Sequence, residues 1–409
     1  MKAIEFERRY CAPNYHPLPV VLVRGSGAWL WDDTGRRYLD MMAAYSAVNH
    51  GHAHPRLVAA LTRQAAQLSV VSRAFHTDKL GPFLEKLCSV TGLDAACPMN
   101  TGAEAVETAI KAARRWGYKV KGIERDRAQI IVASGNFHGR TTTIISFSDE
   151  PAYREGFGPF TPGFVIVPFG DARAVEAAIT PNTCAVLVEP IQGEAGIRVP
   201  PEGWLRQLRE ICTRHRVLLL LDEIQSGLGR TGRWFAWQHE GIQPDGACVG
   251  KALGGGLVPV SAFVARREVI DVLTPGSHGS TFGGNALAAA VGLEALQVLE
   301  DEGLIERSAE LGRFLMQELQ ILRSPLIRDI RGKGLWVGVE FDPERVTGRQ
   351  VCELLMERDV LTKETHESVI RLAPPLVITR EEIQWAVEQL RDVLRTLESG
   401  ARPRRAASA

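Results

Sequence analysis

Between residues 95 and 265 one pattern recurs: a short unbroken apolar run, a polar or glycine-rich stretch behind it, then an amphipathic segment. The runs fall at 130–133, 164–167, 185–188, 217–221, 247–249 and 262–265. Runs of this length without alternation suit strands buried on both faces, and such strands belong to a mostly parallel sheet covered by helices. Covering helices are legible as well. Trp204, Leu205, Leu208, Ile211 and Cys212 have helical spacing behind Pro200-Pro201, and Val58, Leu61, Ala65 and Leu68 share a face behind Pro55. The alternation predicts the α/β class.

After residue 300 the character changes. Segments 335–341 and 369–372 read as strands, and Thr379 with Glu382 forms a capping box ahead of Ile383, Val387, Leu390 and Leu394. The expected organisation is a large domain over 46–300 and a small α+β domain over 301–398. An N-terminal segment over 1–45 packs with the small domain, and a small-residue, basic tail over 399–409 is expected to be disordered.

Charge and cysteine content narrow the function. Lys plus Arg is 48 and Asp plus Glu is 48 in 409 residues, so bulk positive charge is not available to hold nucleic acid. No apolar stretch approaches the ~20 residues that span a bilayer, which predicts no membrane segment. The first ten residues mix both charge signs and lack the apolar core of a secretory signal. The seven cysteines are odd in number, scattered and never form a C-x-x-C pair, so they read as free thiols in a reducing compartment. Cytoplasm is the expected location.

The residues directly behind each run are informative, because ligands of open α/β sheets bind beyond the carboxyl ends of the strands. Asn100-Thr-Gly-Ala-Glu104 stands behind 95–99, and Ser134-Gly-Asn-Phe-His-Gly-Arg140 behind 130–133. Glu189 and Glu194 stand behind the third of these ends, Asp222 and Gln225 behind the fourth, Gly250 and Lys251 behind the fifth. Taken singly, each has a bland reading: Thr101-Gly102-Ala103 as a plain helix cap, Asp222 as half of a structural ion pair, Lys251 as a solvated surface lysine. Taken together they supply a helix N-terminus for a phosphate, a carboxylate for a protonated ring nitrogen and an amine for an aldehyde. Those are the needs of pyridoxal phosphate. Phe137 adds an aromatic face to stack on its ring.

Three other patterns carry less weight. Gly227-Leu-Gly229-Arg-Thr-Gly232 matches G-x-G-x-x-G, but Trp234-Phe-Ala-Trp237 comes next in place of a clear helix and no acidic residue stands about 20 positions on, so it reads as a loop. His50, His52 and His54 lack a Cys or carboxylate at ligand spacing and read as the entry to the Pro55 helix, leaving no metal site. No G-x-S-x-G elbow supports a serine hydrolase.

At Asp222-Glu-Ile-Gln225 followed by Gly250-Lys251-Ala-Leu-Gly-Gly-Gly256, the sequence resembles the class III (omega) aminotransferases, a family of fold-type I pyridoxal phosphate enzymes. The resemblance runs from about Tyr10 to Leu397. It includes Arg115-Trp-Gly-Tyr118, Val188-Glu-Pro-Ile-Gln-Gly-Glu-Ala195, His278-Gly-Ser-Thr-Phe-Gly-Gly-Asn285 and Arg371-Leu-Ala-Pro-Pro-Leu376. Asn14-Tyr-His-Pro-Leu-Pro-Val20 and Ala44-Tyr-Ser-Ala-Val-Asn49 are most similar to the ornithine branch of the family.

The resemblance implies that Lys251 carries the cofactor as a Schiff base, that Asp222 pairs with the ring nitrogen and that Gln225 contacts the phenolic oxygen. Thr101, Gly102 and Ala103 would border the phosphate, and Phe137 and His138 the ring. Ser280 and Thr281 would reach the phosphate of a second subunit, which implies a homodimer or a larger homo-oligomer with shared sites. Tyr15, Tyr45 and Arg140 match substrate-contacting positions. Glu194 and Arg371 match a charge pair that closes for ornithine and opens for 2-oxoglutarate. The implied reaction moves the terminal amine of ornithine to 2-oxoglutarate. Acetylornithine, 4-aminobutyrate or lysine as donor, or a decarboxylase or aminomutase on the same fold, are the competing readings. Three positions depart from the ornithine branch: Ala103 where valine is frequent, Val106 where glycine is, and His138 where some members carry tryptophan.

Overall fold

The computed structural model describes residues 2–399. Its centre is a seven-stranded sheet in the order Ala95–Met99, Ser261–Ala265, Gly246–Val249, Leu218–Asp222, Thr183–Val188, Gln129–Ala133, Phe164–Val167. Four of the six pairings are parallel, and Ser261–Ala265 runs antiparallel to both its neighbours. Every residue of Thr183–Val188 and Leu218–Asp222 is buried, as unbroken apolar runs require.

The two faces of the sheet feed two cores with a period of two. Ile131, Val186, Leu219 and Leu221 join the core that includes Trp204, Leu205, Leu208, Ile211 and Cys212 of the helix Trp204–Arg214. Ile130, Leu187, Leu218 and Leu220 join the opposite core with Ala105, Val106, Ala109 and Ile110 of the helix Gly102–Trp116. Asp222 continues the parity of Leu218 and Leu220, so its side chain emerges on the Gly102 side of the sheet.

Two smaller sheets flank this body. Leu22–Ser26, Trp29–Asp32 and Arg37–Asp40 form a meander that Val360–Leu361 extends in parallel, with Val360 opposite Leu39. Ile327–Gly332, Val337–Phe341, Val369–Leu372 and Lys363–Thr365 form the second sheet in that order. The N-terminal and C-terminal parts are thus joined by main-chain pairing. The final helix, Arg380–Glu398, starts at the expected capping box. Thr379 Oγ1 accepts from the Glu382 N–H at 3.2 Å and Glu382 Oε2 accepts from the Thr379 N–H at 2.8 Å.

Some details differ from the sequence reading. The helix that begins at Pro55 stops at Ala65, short of Leu68, whose carbonyl accepts instead from Gln64 Nε2. Ile327–Gly332 escaped notice because Arg328, Asp329 and Arg331 interrupt its apolar content. The expectation for the tail falls, past Ser399, outside the described residues. No helix among the described residues is long and apolar enough to cross a membrane.

Gly227–Gly232 is a loop, wrapped around its own arginine. Arg230 is fully buried, donates to the Leu335 and Pro374 carbonyls at 2.7 Å each, and reaches Asn49 Oδ1 at 2.5 Å. The three histidines diverge. His50 donates to the Ala295 carbonyl, His52 meets Asp40 at 2.7 Å and His54 meets Glu302 at 3.2 Å.

Candidate active site

The strand ends converge on a cavity of about 180 Å³ lined by Gly102, Ala103, Phe137, His138, Glu189, Asp222, Gln225 and Lys251, with Ile224 in its wall. Asp222 is the last residue of a buried strand and is 5% exposed. A carboxylate so placed needs donors. His138 Nδ1 supplies one to Oδ2 at 2.7 Å, and the Ile224 N–H supplies another to Oδ1 at 3.0 Å. Burial opposes charge on His138, but the Asp222 bond and its charge outweigh burial and hold the imidazole pKa above its ordinary value. His138 Nε2 is buried and has no partner among the described residues.

Glu189 lines the same cavity and is buried. Its carboxylate accepts from the Phe137 N–H at 3.0 Å, which fixes the segment that carries Phe137 and His138. Burial pushes its pKa up to about 8; His138 and the main-chain donors pull the other way, and Asp222 adds to the rise.

Lys251 begins a turn directly behind Gly246–Val249 with φ of 47°. That left-handed backbone is strained for a residue with a β-carbon and recurs at functional sites. Its amine makes no hydrogen bond or ion pair among the described residues. Burial depresses its pKa, while Glu194, Asp222 and Glu189 pull it back up and Arg371 lowers it. The outcome is an amine biased toward its neutral, nucleophilic form.

At the phosphate end, Thr101 is turned into the cap of the helix Gly102–Trp116. Its Oγ1 accepts from the Glu104 N–H at 3.3 Å while Glu104 Oε2 accepts from its N–H at 2.7 Å. The N–H groups of Gly102 and Ala103 have no hydrogen-bond partner among the described residues and stand at the positive end of a 15-residue helix beside the cavity. A β-carbon on Gly102 would lie 2.9 Å from Ile224 Cδ1, so the cradle has no room for one. Free helix donors, an unpartnered lysine and a donor-held carboxylate in one small cavity fit pyridoxal phosphate.

The remaining candidates stand outside that lining. Glu194 meets Arg371 Nη1 at 2.7 Å, with Arg371 only 4% exposed, and the Arg371 guanidinium lies over the Tyr45 ring at 4.6 Å. Tyr45 connects to the cavity through its carbonyl, which accepts from Gln225 Nε2 at 3.4 Å. Phe137 and Glu194 also border an outer cavity of about 600 Å³. Arg140 is exposed and stacks on Tyr153. Tyr15 is 79% exposed. Ser280 accepts from Asn100 Nδ2 at 2.9 Å and Thr281 is exposed; neither lines the cavity of its own chain.

Sequence reasoning assigned no role to Glu189, Ile224 or Tyr153. Glu189 had a signal, since it stands directly behind a buried run. Ile224 and Tyr153 had none, because an isoleucine and a tyrosine are ordinary residues until the fold shows what they touch.

The family model for class III aminotransferases matches residues 10–394. An ornithine aminotransferase of Brevibacillus brevis is 53% identical over 97% of this chain and 98% of its own length. Among solved structures, the ornithine aminotransferase of Toxoplasma gondii superposes with a TM-score of 0.96 at 44% identity, over 97% of this chain and 94% of the other. An acetylornithine aminotransferase of Elizabethkingia anophelis gives 0.88 at 46% identity, over 96% and 98%. The chain belongs to the class III aminotransferases, enzymes that work through pyridoxal phosphate.

Proposed function

We propose that the chain transfers the terminal amino group of L-ornithine to 2-oxoglutarate, giving glutamate 5-semialdehyde and glutamate. The observation that carries this reading is the Glu194–Arg371 pair at 2.7 Å beside Tyr45, whose carbonyl accepts from Gln225 in the lining of the cavity that holds Lys251 and Asp222. Full-length similarity to relatives named ornithine aminotransferase supports the choice of donor.

Pyridoxal phosphate, when bound, supplies an aldehyde that takes the amine and an electron-poor ring that accepts the electron pair left when a carbon loses its proton. The protein's residues do the rest. Gly102 and Ala103 would hold the phosphate with their main-chain N–H groups, Phe137 would border the ring, and Gln225 would contact the phenolic oxygen. Asp222, oriented by His138, would pair with the ring nitrogen and favour its protonated form. Lys251, biased toward neutrality by burial, moves a proton at the carbon that carries the reacting nitrogen.

Glu194 and Arg371 select which end of the substrate reacts. While paired, Arg371 offers no free cation to an α-carboxylate, so a diamine enters with its terminal amine first and its carboxylate outward toward Arg140 and Tyr15. When 2-oxoglutarate enters, Arg371 exchanges Glu194 for the carboxylate beside the keto group, a substitution of one charge-assisted bond for another. Ser280 and Thr281, which do not line the cavity of their own chain, would serve the phosphate site of a second copy in a homodimer. Cytoplasmic location and a place between arginine degradation and proline biosynthesis complete the proposal.

A donor panel tests it. With 2-oxoglutarate as acceptor, kcat/KM is expected to be highest for L-ornithine among L-ornithine, N-acetylornithine, 4-aminobutyrate and L-lysine. Preference for N-acetylornithine would keep the family and replace the substrate.

A further inference from the structure

Arg140 is the one substrate-contacting candidate whose charge has no carboxylate within ion-pair distance among the described residues, and it is exposed. An arginine in that situation ordinarily samples many rotamers, at a cost when a ligand must immobilise it. Here two rings restrain it. Its guanidinium carbon lies 3.8 Å from the centroid of Tyr153 and 5.4 Å from that of Phe137. The two rings meet edge-on at 5.9 Å, so they form a corner with the guanidinium set in it.

The corner is built from segments that are themselves held. Phe137 is fixed through its N–H to Glu189. Tyr153 sits on the short helix Pro151–Arg154, where Arg154 Nη1 donates to the Ser146 and Ser148 carbonyls at 2.7 and 2.9 Å and its guanidinium lies over Phe160 at 4.2 Å. Tyr153, Phe137 and Glu194 all border the outer cavity. A stacked guanidinium keeps its N–H edge free for a carboxylate, which a salt-bridged one does not.

We propose that Tyr153 is a positioning residue that sets the plane of Arg140 and so determines preference for substrates carrying a carboxylate at the end remote from the reacting carbon. The proposal rests on the reading of Arg140 as a carboxylate contact. Both substrates have this feature: ornithine reacting at its terminal amine leaves its carboxylate remote, and 2-oxoglutarate reacting at its keto carbon leaves its second carboxylate remote. Tyr153 thus serves both half-reactions through one residue.

The test compares each substrate with the same molecule lacking that carboxylate, in single turnovers of the holoenzyme: L-ornithine with 1,4-diaminobutane, and 2-oxoglutarate with 2-oxobutyrate. The affinity for unreactive glutarate, measured by calorimetry, reads binding without turnover. In Tyr153→Leu and Tyr153→Gln the preference for the carboxylate-bearing partner falls roughly five- to tenfold in both pairs and glutarate binding weakens to match. Tyr153→Phe, which keeps the ring, restores the ratios to within about twofold. Arg140→Ala is the control. If it lowers the ratios and the two non-aromatic variants do not, the role of Tyr153 is overturned while that of Arg140 stands. If Arg140→Ala leaves them unchanged, the reading beneath the proposal fails. Equal losses with and without the remote carboxylate would make Tyr153 a merely structural residue and overturn the proposal.

Discussion

At the scale of single residues, the site depends on how a few buried groups share protons. Asp222 is useful to a ring nitrogen only while its carboxylate is aimed, and His138 at 2.7 Å aims it. His138→Leu is expected to lower kcat roughly ten- to a hundredfold, the worth of a hydrogen bond to a charged group, and to weaken cofactor binding. His138→Asn, which keeps a donor, is expected to lose less. Steady-state kinetics and a cofactor titration read both. Glu194→Ala removes the partner of Arg371 and leaves that cation free to take the carboxylate of ornithine. The expected outcome is a loss of about tenfold or more in kcat/KM for ornithine, with the 2-oxoglutarate half-reaction less affected. Equal losses in both half-reactions would contradict the selection argument.

At the scale of elements, most of the sheet was legible because burial on both faces leaves a plain signature. The runs at 130–133, 185–188 and 217–221 became Gln129–Ala133, Thr183–Val188 and Leu218–Asp222 with at most small shifts at their ends. Strands that carry charge on one side leave no such signature, which is why Ile327–Gly332 was not found. Lys251, Asp222 and Gln225 could be picked from the sequence because each stands close behind a buried run. Their closeness to Gly102, Phe137 and Glu189 could not, since it is set by strand order, and Thr101, directly before Gly102, is held as the helix cap by Glu104. The segment behind Thr183–Val188 offers its own test. A β-carbon on Gly193 would lie 1.5 Å from Gln225 Oε1 and 2.8 Å from the buried Trp336 ring. Gly193→Ala is therefore expected to displace Gln225, destabilise the fold by about 1–3 kcal/mol and shift the visible absorption of the bound cofactor. Calorimetry and a spectrum check the two effects separately.

At the scale of the whole molecule, the N-terminal meander, the central sheet and the C-terminal sheet are tied by buried polar groups as well as by apolar packing. Arg230 links the loop at 227–232 to Asn49, Leu335 and Pro374. His50, 1% exposed, links the segment before Pro55 to the helix Ala286–Asp301 through the Ala295 carbonyl. Burial pushes the His50 pKa down from 6.5 to about 4. The folded pKa is depressed, so this histidine's contribution is fully present above pH 6.5 and is lost as pH falls through about 4, where the unfolded chain holds a proton that the folded chain refuses. The loss is about 3 kcal/mol across that window, and His50→Gln is expected to flatten the corresponding fall in melting temperature. An unchanged pH profile in the variant would assign the acid sensitivity elsewhere.

The central claim is that the terminal amine of ornithine, and not its α-amine, is the one transferred. Ornithine labelled with nitrogen-15 at the terminal amine, turned over with 2-oxoglutarate and followed by mass spectrometry of both products, reads this directly. The account predicts the label in glutamate and an unlabelled semialdehyde product. Label retained in a keto-acid product, with unlabelled glutamate, would contradict it.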